Sequence, residues 1–594
     1  SAAARPGLSP ARVAGRAGTM RTAIFAVLLF VGGLAYRATF LGQGFNASDE
    51  AFLPALALRV LKGQVIYRDF NYASPPLTVY KEAGVAALLG ADYGFLASRW
   101  VFAVEVSAGT VLAFLIVSRF FNPTVAFLAT LPAIFFTTIL YAYSNFNFDS
   151  QVLFLAGFTI LVWDRERERW PLALAAGALC GMAFLAKPTY LAMGVGVAGL
   201  GLLRPLFGGP RRWPFYAGGF LLALGAVFAT IALLGLWDEF RHQAFGQLLQ
   251  ARPVGLRQLL FQDWPRYLRP PQWAAVPAVA TALLLGVASL RSQLVWPALA
   301  LLAAVLAATV PPALASSTAG IPTIGQLNLL VGALGLVLGI NVVASLVTVA
   351  ARVPALASRP WAERVRADVF PPMVPVVAAV LEYIHGVDLS SMRFAYVGTF
   401  LGVPVALCFL HAMWRMAGAQ SAVAVAVPAV VGVFIAVAGM VVTHGSPYLD
   451  GPRDQMTVTL SAPRLSGIAT LPGNAQHIDA LVEAIDGRTR PGDRVFVFPD
   501  GQAYYVVTGR VNPTHIDWYD VLATTPAMAE DARARLQANP PEWIFVQRYN
   551  EADIRHSRQL DFERQRAWKP IFDLIQSDYE LVGSADGVDV YHLK

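Results

Sequence analysis

Long apolar segments recur along most of the first 443 residues of this chain. A helix of about 20 apolar residues is long enough to cross a bilayer, and about thirteen segments approach or reach that length. They lie at about 22–40, 97–118, 123–141, 149–163, 172–187, 189–203, 213–236, 274–290, 294–310, 327–350, 371–386, 392–412 and 421–443. The 594 residues are 56% hydrophobic and only 14% charged, a balance that argues against a soluble globular protein. The sequence therefore predicts a polytopic α-helical membrane protein.

The positions of the cations predict how these segments are oriented. Cytoplasmic loops of membrane proteins carry an excess of Lys and Arg. The chain shows that pattern if its N-terminus is cytoplasmic and residues 75–90 do not cross the membrane. Lys81 and Glu82 lie in the middle of this segment and make a membrane span unfavourable. Residues 41–96 and all residues after 443 then lie outside. The cations placed on the cytoplasmic side include Arg12, Arg16, Arg21, Arg119, Arg204 and Arg291.

Three parts of different composition follow from this topology. Residues 1–19 are rich in Ala, Arg, Gly and Pro and precede Met20, so we expect a disordered extension. Residues 20–443 form the membrane domain, whose first apolar segment has no cleavage site after it and is expected to be retained. Residues 444–594 have soluble composition and are predicted to be an extracytoplasmic α/β domain.

The soluble part contains four strand-like runs that alternate with helical patterns. The strands are predicted at 494–498, 503–508, 543–547 and 588–593, and the helices at 475–487, 526–538 and 560–576. The net charge of +7 is too small to indicate nucleic acid as a partner. The two cysteines, Cys180 and Cys408, lie in apolar segments, so neither a disulfide framework nor a cysteine metal site is expected.

An acidic loop at 46–79 follows the first apolar segment, and two interpretations of it are open. Apolar residues at helical spacing predict an amphipathic helix over 49–62, for which Ser48 would be the N-cap. In the simpler interpretation, Asp49 and Glu50 only complement the helix dipole. In the second interpretation, the loop is an active site. Asp149 and Lys187 favour the active-site interpretation, because they lie at the ends of membrane segments, where charged side chains are costly to place near lipid. For Lys187 a simpler explanation is also open, in which its side chain snorkels to the membrane interface.

The order of short motifs in this loop resembles the GT-C superfamily of lipid-linked glycosyltransferases. The branch of this superfamily that the chain resembles contains protein O-mannosyltransferases and the aminoarabinose transferase of lipid A. The motifs are Asp49-Glu50, GQVIYRDF at 63–70, PPL at 75–77, then Arg99, Asp149 and Lys187. Relatives often carry His or Glu-Lys before the Pro-Pro pair, whereas this chain has Ala73 and Ser74. The acceptor class and the use of a metal are therefore left open.

The resemblance implies inverting transfer of a sugar from a polyprenyl-phosphate donor to a hydroxyl of a glycan, lipid or protein acceptor. Asp49 would be the general base, and cations would offset the charge of the leaving phosphate. A divalent cation, Mg²⁺ or Mn²⁺, is a candidate cofactor held by Asp49 and Asp149. The candidate phosphate-binding residues are Lys187, Arg68, Arg99 and Lys81. The candidate loop-supporting or substrate-contacting residues are Glu50, Asp69, Tyr67 and Gln326.

The expected setting is glycan biosynthesis for the cell envelope, with membrane lipids around a multi-pass protein of the plasma (inner) membrane. The C-terminal domain would cap the site and bind the acceptor. Two other classes of protein stay open. A lipid or glycolipid transporter or flippase would share the helices without the chemistry, although internal repeats are not evident. A non-catalytic scaffold is the other alternative.

Overall fold

The computed structural model combines a large set of apolar helices with a C-terminal α/β region. It describes residues 10–90, 93–136, 143–164, 169–191, 194–195, 213–246, 333, 335–337, 339–347, 376, 379, 400–416, 418, 420–445, 453–519, 524–547 and 560–594. The first seven helices are α1 (Pro10–Ala38), α2 (Asp49–Leu61), α3 (Leu77–Leu89), α4 (Phe95–Ser118), α5 (Pro123–Phe136), α6 (Phe146–Trp163) and α7 (Trp170–Ala186). Further along are α8 (Trp213–Leu233), α9 (Trp237–Arg241), α10 (Gly402–Met416) and α11 (Ser421–Gly445).

The apolar helices make the chain a multi-pass membrane protein. By length and composition, 5 helices of the described part are able to cross a membrane. They are Thr19–Ala38, Phe95–Ser118, Phe146–Trp163, Trp213–Leu233 and Val423–Val441. The expected total of about thirteen is not confirmed, because several of the predicted segments, such as 274–290 and 294–310, lie outside the described residues.

Glycines allow α7 and α8 to approach closely. A Cβ atom built on Gly177 would lie 1.9 Å from the carbonyl oxygen of Tyr216, and one on Gly219 would lie 1.9 Å from that of Leu174. No larger side chain fits at either position, so small residues set this helix pair, as is common in membranes. The contact fixes α7, whose C-terminal end carries Lys187.

Helices α2 and α3 form the connection between α1 and α4. Each has 13 residues, which is about 20 Å of helix and too short to span the apolar core of a bilayer. Apolar residues of this connection pack against the end of α8 and against α9, in a cluster that includes Leu56, Tyr67, Phe70, Leu236 and Phe240. The prediction that residues 75–90 do not cross the membrane agrees with this short helix.

The C-terminal region contains a four-stranded sheet with helices packed on it. Its strands, β3 (Val495–Phe498), β4 (Trp543–Gln547), β5 (Tyr579–Ala585) and β6 (Val588–Leu593), lie in the order β3-β4-β6-β5. β3 and β4 are parallel, and the other two pairings are antiparallel. A separate pair, β1 (Val458–Thr459) and β2 (Ala469–Thr470), precedes them. The helices are α12 (Pro472–Asp486), α13 (Gln502–Thr508), α14 (Pro526–Ala538) and α15 (Leu560–Asp578).

One predicted strand is wrong, and three strands, β5 and the short pair β1 and β2, were not predicted. Residues 503–508, AYYVVT, are aromatic and β-branched, but they belong to helix α13. Nearly the whole circumference of α13 is buried, and the left-handed conformation of Gly509 ends it, so tertiary packing overrides the local preference. Strand β5 was missed because its sequence, YELVGSA, lacks a regular alternation of apolar residues.

The C-terminal domain is held on α2 and on the loop that follows it. Arg59 and Asp517 form a buried ion pair at 2.6 Å, and Arg59 also donates to the Thr514 carbonyl oxygen at 3.0 Å. The backbone N–H of Asn71 donates to the carbonyl oxygen of His515 at 2.8 Å. These contacts join the candidate loop to the C-terminal α/β region as one structural unit.

We expect Arg59→Gln to weaken this docking by about 2 kcal/mol, because Asp517 loses its charged donor and stays buried. Hydrogen–deuterium exchange should then rise in α2 and around 512–517. Arg241→Gln is the matched control, since Arg241 and its partner Asp238 are 70% and 84% exposed. Equal exchange in the two variants would contradict a structural role for the Arg59–Asp517 pair.

Candidate active site

The carboxylate of Asp49 lies at the N-terminus of α2 and is half-buried. The side-chain oxygen of Asn46 accepts hydrogen bonds from the backbone N–H groups of Ser48 and Asp49, both at 3.0 Å. The Asn46 amide donates to Asp49 Oδ2 at 3.4 Å. Ser48 occupies the predicted N-cap position but makes no side-chain capping bond, and Asn46 organises this turn instead. The helix dipole favours the ionised form of Asp49 here.

Directly behind Asp49, Glu50 and Arg99 form a buried bidentate ion pair. The two side chains are 3% and 2% exposed, and their N···O distances are 2.6 and 2.8 Å. Arg99 also donates to the carbonyl oxygens of Leu41, Gln43 and Gly44. A guanidinium has five N–H donors, and these contacts occupy all of them. The pair thus ties α2 to α4 and to the end of α1, and Arg99 has no donor left for a phosphate.

Residues 67–69 shape the next turn of the loop. Tyr67 is buried with a positive φ of 71°, and its hydroxyl donates to the Ser74 carbonyl oxygen at 2.7 Å. Asp69 accepts from the Val65 N–H at 2.7 Å and from the guanidinium of Arg68 at 2.9 Å. The bond from Arg68 is the main reason that the pKa of Asp69 is lowered. Arg68 itself is 60% exposed, so its remaining donors face solvent.

Lys81 is the centre of a second group of charges, contributed by α3, α4 and the start of α6. Its ammonium donates to Asp149 Oδ1 at 2.5 Å, to Glu105 Oε1 at 2.9 Å and to Ser144 Oγ at 2.9 Å. Burial lowers the pKa of Lys81, but the two carboxylates outweigh that effect and raise it. The other oxygens, Asp149 Oδ2 and Glu105 Oε2, are buried without a hydrogen-bond partner.

Glu105 and Ser144 are the residues of this group that the sequence analysis missed. Glu105 lies in the middle of the predicted span at 97–118, where an ionisable residue is costly and usually serves a function. This energetic cost is the feature of the sequence that could have identified Glu105. Nothing local marks Ser144, because only the fold brings it to Lys81.

Lys187 approaches the same end of α6 from α7. It follows the last residue of α7, and its ammonium donates to Asn147 Oδ1 at 2.5 Å and lies 5.7 Å from the ring centroid of Phe146. Asn147 and Asp149 both belong to the first turn of α6. Two lysines from distant segments therefore converge on one helix N-terminus, whose dipole adds positive potential.

The loop after α2 is electrostatically linked to this lysine group through Tyr72. Tyr72 is buried, and its ring lies 6.0 Å from that of Phe52 of α2. Burial raises the pKa of Tyr72, and the Asp149 carboxylate raises it further. The structure thus brings Lys81, Asp149 and Lys187 together and sets the 46–79 loop beside them. Gln326 lies outside the described residues.

The described residues do not provide an evident metal site. Within the ranges that the structure describes, no group of three or more His, Cys, Asp and Glu side chains is placed to hold a metal ion. One oxygen of Asp149, a predicted ligand, is bound by the Lys81 ammonium. The expected divalent cation is therefore not confirmed.

Comparison with solved structures identifies the fold. The chain is similar to the oligosaccharyltransferase of Archaeoglobus fulgidus in its apo form, with 12% identity, a TM-score of 0.50, and coverage of 96% of this chain and 74% of that one. The archaeal oligosaccharyltransferase AglB from Archaeoglobus fulgidus, in complex with an inhibitory peptide and a dolichol-phosphate, has 14% identity, a TM-score of 0.47 and the same coverage. No family model and no curated protein matches the sequence. The similarity to the apo form shows that the chain shares the fold of that enzyme, which supports the predicted GT-C-like fold.

Proposed function

We propose that this chain is a membrane glycosyltransferase that transfers a sugar from a polyprenyl-phosphate donor to an acceptor hydroxyl with inversion. The observation that carries the proposal is that 96% of the chain shares its fold with an oligosaccharyltransferase. The gathering of Lys81, Asp149 and Lys187 beside the loop that holds Asp49 supports it. Buried charges of this kind are costly and usually serve a function.

In this proposal Asp49 takes the proton of the acceptor hydroxyl while the oxygen attacks the anomeric carbon. A carboxylate that is half-buried and held by Asn46 at a helix N-terminus is kept in one orientation, as a general base requires. The bond between the anomeric carbon and the phosphate oxygen breaks, and the polyprenyl phosphate leaves. The Glu50–Arg99 pair positions the first turn of α2 and does not touch the substrates.

The leaving phosphate gains negative charge and needs cations that are already in place. Lys187 is our assignment for this role, with its ammonium held by Asn147 at the N-terminus of α6. Lys81 offsets part of the negative charge of Asp149 and Glu105 and so reduces their repulsion of the phosphate. Arg68 is exposed and reaches the donor or the acceptor from the rim. A divalent cation held by Asp49 and Asp149 would supply further positive charge, and the mechanism above does not depend on it.

The proposed orientation places this site and the C-terminal domain on the outer face, with the N-terminus in the cytoplasm. The C-terminal domain contacts Arg59, Lys62 and Asn71 of the candidate loop, so in the proposed orientation it covers the outer side of the loop. We propose that it contributes the surface that receives a peptide, glycan or lipid acceptor.

We expect Lys187→Met to lower kcat by about 100-fold, because one preorganised charge on the leaving group is removed. Transfer is measured with radiolabelled donor. The matched control is Lys569→Met, because Lys569 lies in the C-terminal domain and its side chain is 67% exposed. A loss confined to KM would contradict a role for Lys187 in the transition state.

The experiment that tests the function compares transfer with transport. Purified protein in vesicles receives a panel of labelled polyprenyl-phosphate sugars and a membrane extract as acceptor, and label is followed both into product and across the bilayer. Label in the product supports the glycosyltransferase. Movement of intact donor without product would replace the proposal with a transporter.

A further inference from the structure

Two buried arginines lie at the end of α1 that is nearest to the C-terminal domain. Arg37, in the last turn of α1, is 0% exposed, and Arg453, beyond the end of α11, is 9% exposed. In the part of the chain that the structure describes, no carboxylate forms an ion pair with either of them. Arg453 lies over the ring of Phe40, and that ring packs edge-on against Tyr36, the residue that precedes Arg37 in α1.

Both arginines have donors that are buried and unused. Arg37 Nη1 donates to the Gly33 carbonyl oxygen at 2.9 Å and to Ser107 Oγ at 3.4 Å, whereas its Nε and Nη2 have no hydrogen-bond partner. Arg453 lies over the Phe40 ring, 4.3 Å from the centroid, and its Nε and Nη1 also lack a partner. Burial lowers the pKa of Arg453 to about 10. Uncompensated charges of this kind are strongly destabilising unless an anion accompanies them.

This arginine pair is separate from the candidate active site. On α4, Ser107 contacts Arg37, while Glu105 contacts Lys81. Residues two apart on a helix project about 200° apart, so the two groups lie against opposite faces of α4. An anion at the arginine pair would therefore not be the one that leaves in the transfer reaction.

The location of the pair indicates which anion it meets. The apolar side chains Val27 and Val31 of α1 are 60% and 56% exposed, as expected for a helix that faces lipid. The span of α1 ends at Ala38, one residue after Arg37, so the pair lies at the depth of the lipid headgroups. Guanidinium groups match phosphate oxygens well in shape and charge.

We propose that Arg37 and Arg453 together bind the phosphate group of a membrane lipid at this end of α1. The two free edges of the guanidinium groups donate to the phosphate oxygens, and the anion supplies the charge that the buried pair lacks. The lipid fixes the C-terminal end of α1 against the segment that carries Arg453. It acts as a structural ligand and takes no part in the transfer step.

The test is native mass spectrometry of the full chain in detergent, titrated with dioctanoyl phosphatidylglycerol. Dioctanoylglycerol, which has the same chains without phosphate, is the ligand control, and inorganic phosphate is added as a competitor. The variants are Arg453→Gln, Arg453→Lys, which keeps the charge, and Arg490→Gln, which removes an exposed arginine of the same domain.

We expect Arg453→Gln to weaken binding of the phospholipid about tenfold or more, because a charge-assisted contact is lost. Arg453→Lys should retain part of it, and Arg490→Gln should bind like the wild type. Displacement by millimolar inorganic phosphate would support the phosphate site but overturn the lipid as its source. The proposal would be overturned if wild type and Arg453→Gln bound the phospholipid equally, or if dioctanoylglycerol bound as well as the phospholipid. If Arg453→Gln does not fold, the comparison of Arg453→Lys with the wild type decides.

Discussion

Asp49→Asn should reduce sugar transfer by about 1,000-fold or more while the protein stays folded. The amide has almost the same shape as the carboxylate and keeps an oxygen near Asn46, but it cannot accept the proton of the acceptor hydroxyl. Turnover of a labelled polyprenyl-phosphate sugar measures the effect. Binding of the donor should change little, because Asp49 does not contact the phosphate in this mechanism.

Asp238→Asn is the matched control for this variant. Asp238 is also in the first turn of a helix, α9, but it is 84% exposed and forms an ion pair with the exposed Arg241. We expect it to transfer sugar at the rate of the wild type. If Asp49→Asn and Asp238→Asn were equally active, Asp49 would not be the base, although the chain could still be a transferase.

Arg99→Met should destabilise the protein by about 3–5 kcal/mol, the cost of leaving a buried charge without its partner. Glu50 would remain in an apolar environment, and the carbonyl oxygens of Leu41, Gln43 and Gly44 would lose their donor. The measurement is the free energy of unfolding in mild detergent, from denaturant titration.

Two further variants distinguish the buried pair from a general loss of positive charge. The double variant Glu50→Gln/Arg99→Met removes the uncompensated carboxylate and should recover part of the lost stability. Arg68→Met, at a position 60% exposed, should change the free energy of unfolding by less than about 0.5 kcal/mol. Similar losses in Arg68→Met and Arg99→Met would contradict the structural role that we assign to Arg99.

The membrane helices were predictable because apolar length alone defines them. Trp213–Leu233 and Phe95–Ser118 agree with the predicted segments at 213–236 and 97–118. Three of the candidate residues, Lys81, Asp149 and Lys187, proved to lie together at the start of α6. Charges that are costly near lipid stand out in an apolar sequence.

The partners of those charges were not predictable. Arg99 was expected to bind phosphate, yet its contacts are with Glu50 and backbone carbonyl oxygens. Lys81 and Asp149 are 68 residues apart and meet only because α3 packs beside the start of α6. Such pairings depend on tertiary structure, which residue type and local period do not encode. The same reason explains why residues 503–508 form a helix despite a strand-like sequence.

The most direct test of the account is a time course with purified wild-type protein, one labelled polyprenyl-phosphate sugar at a time, and membrane extract as acceptor. The account predicts that sugar appears in the acceptor and that polyprenyl phosphate is released in equal amount, with neither product formed by Asp49→Asn. Donors that all stay intact with the wild type, while the protein is folded and binds them, would contradict the central claim that this chain transfers sugar.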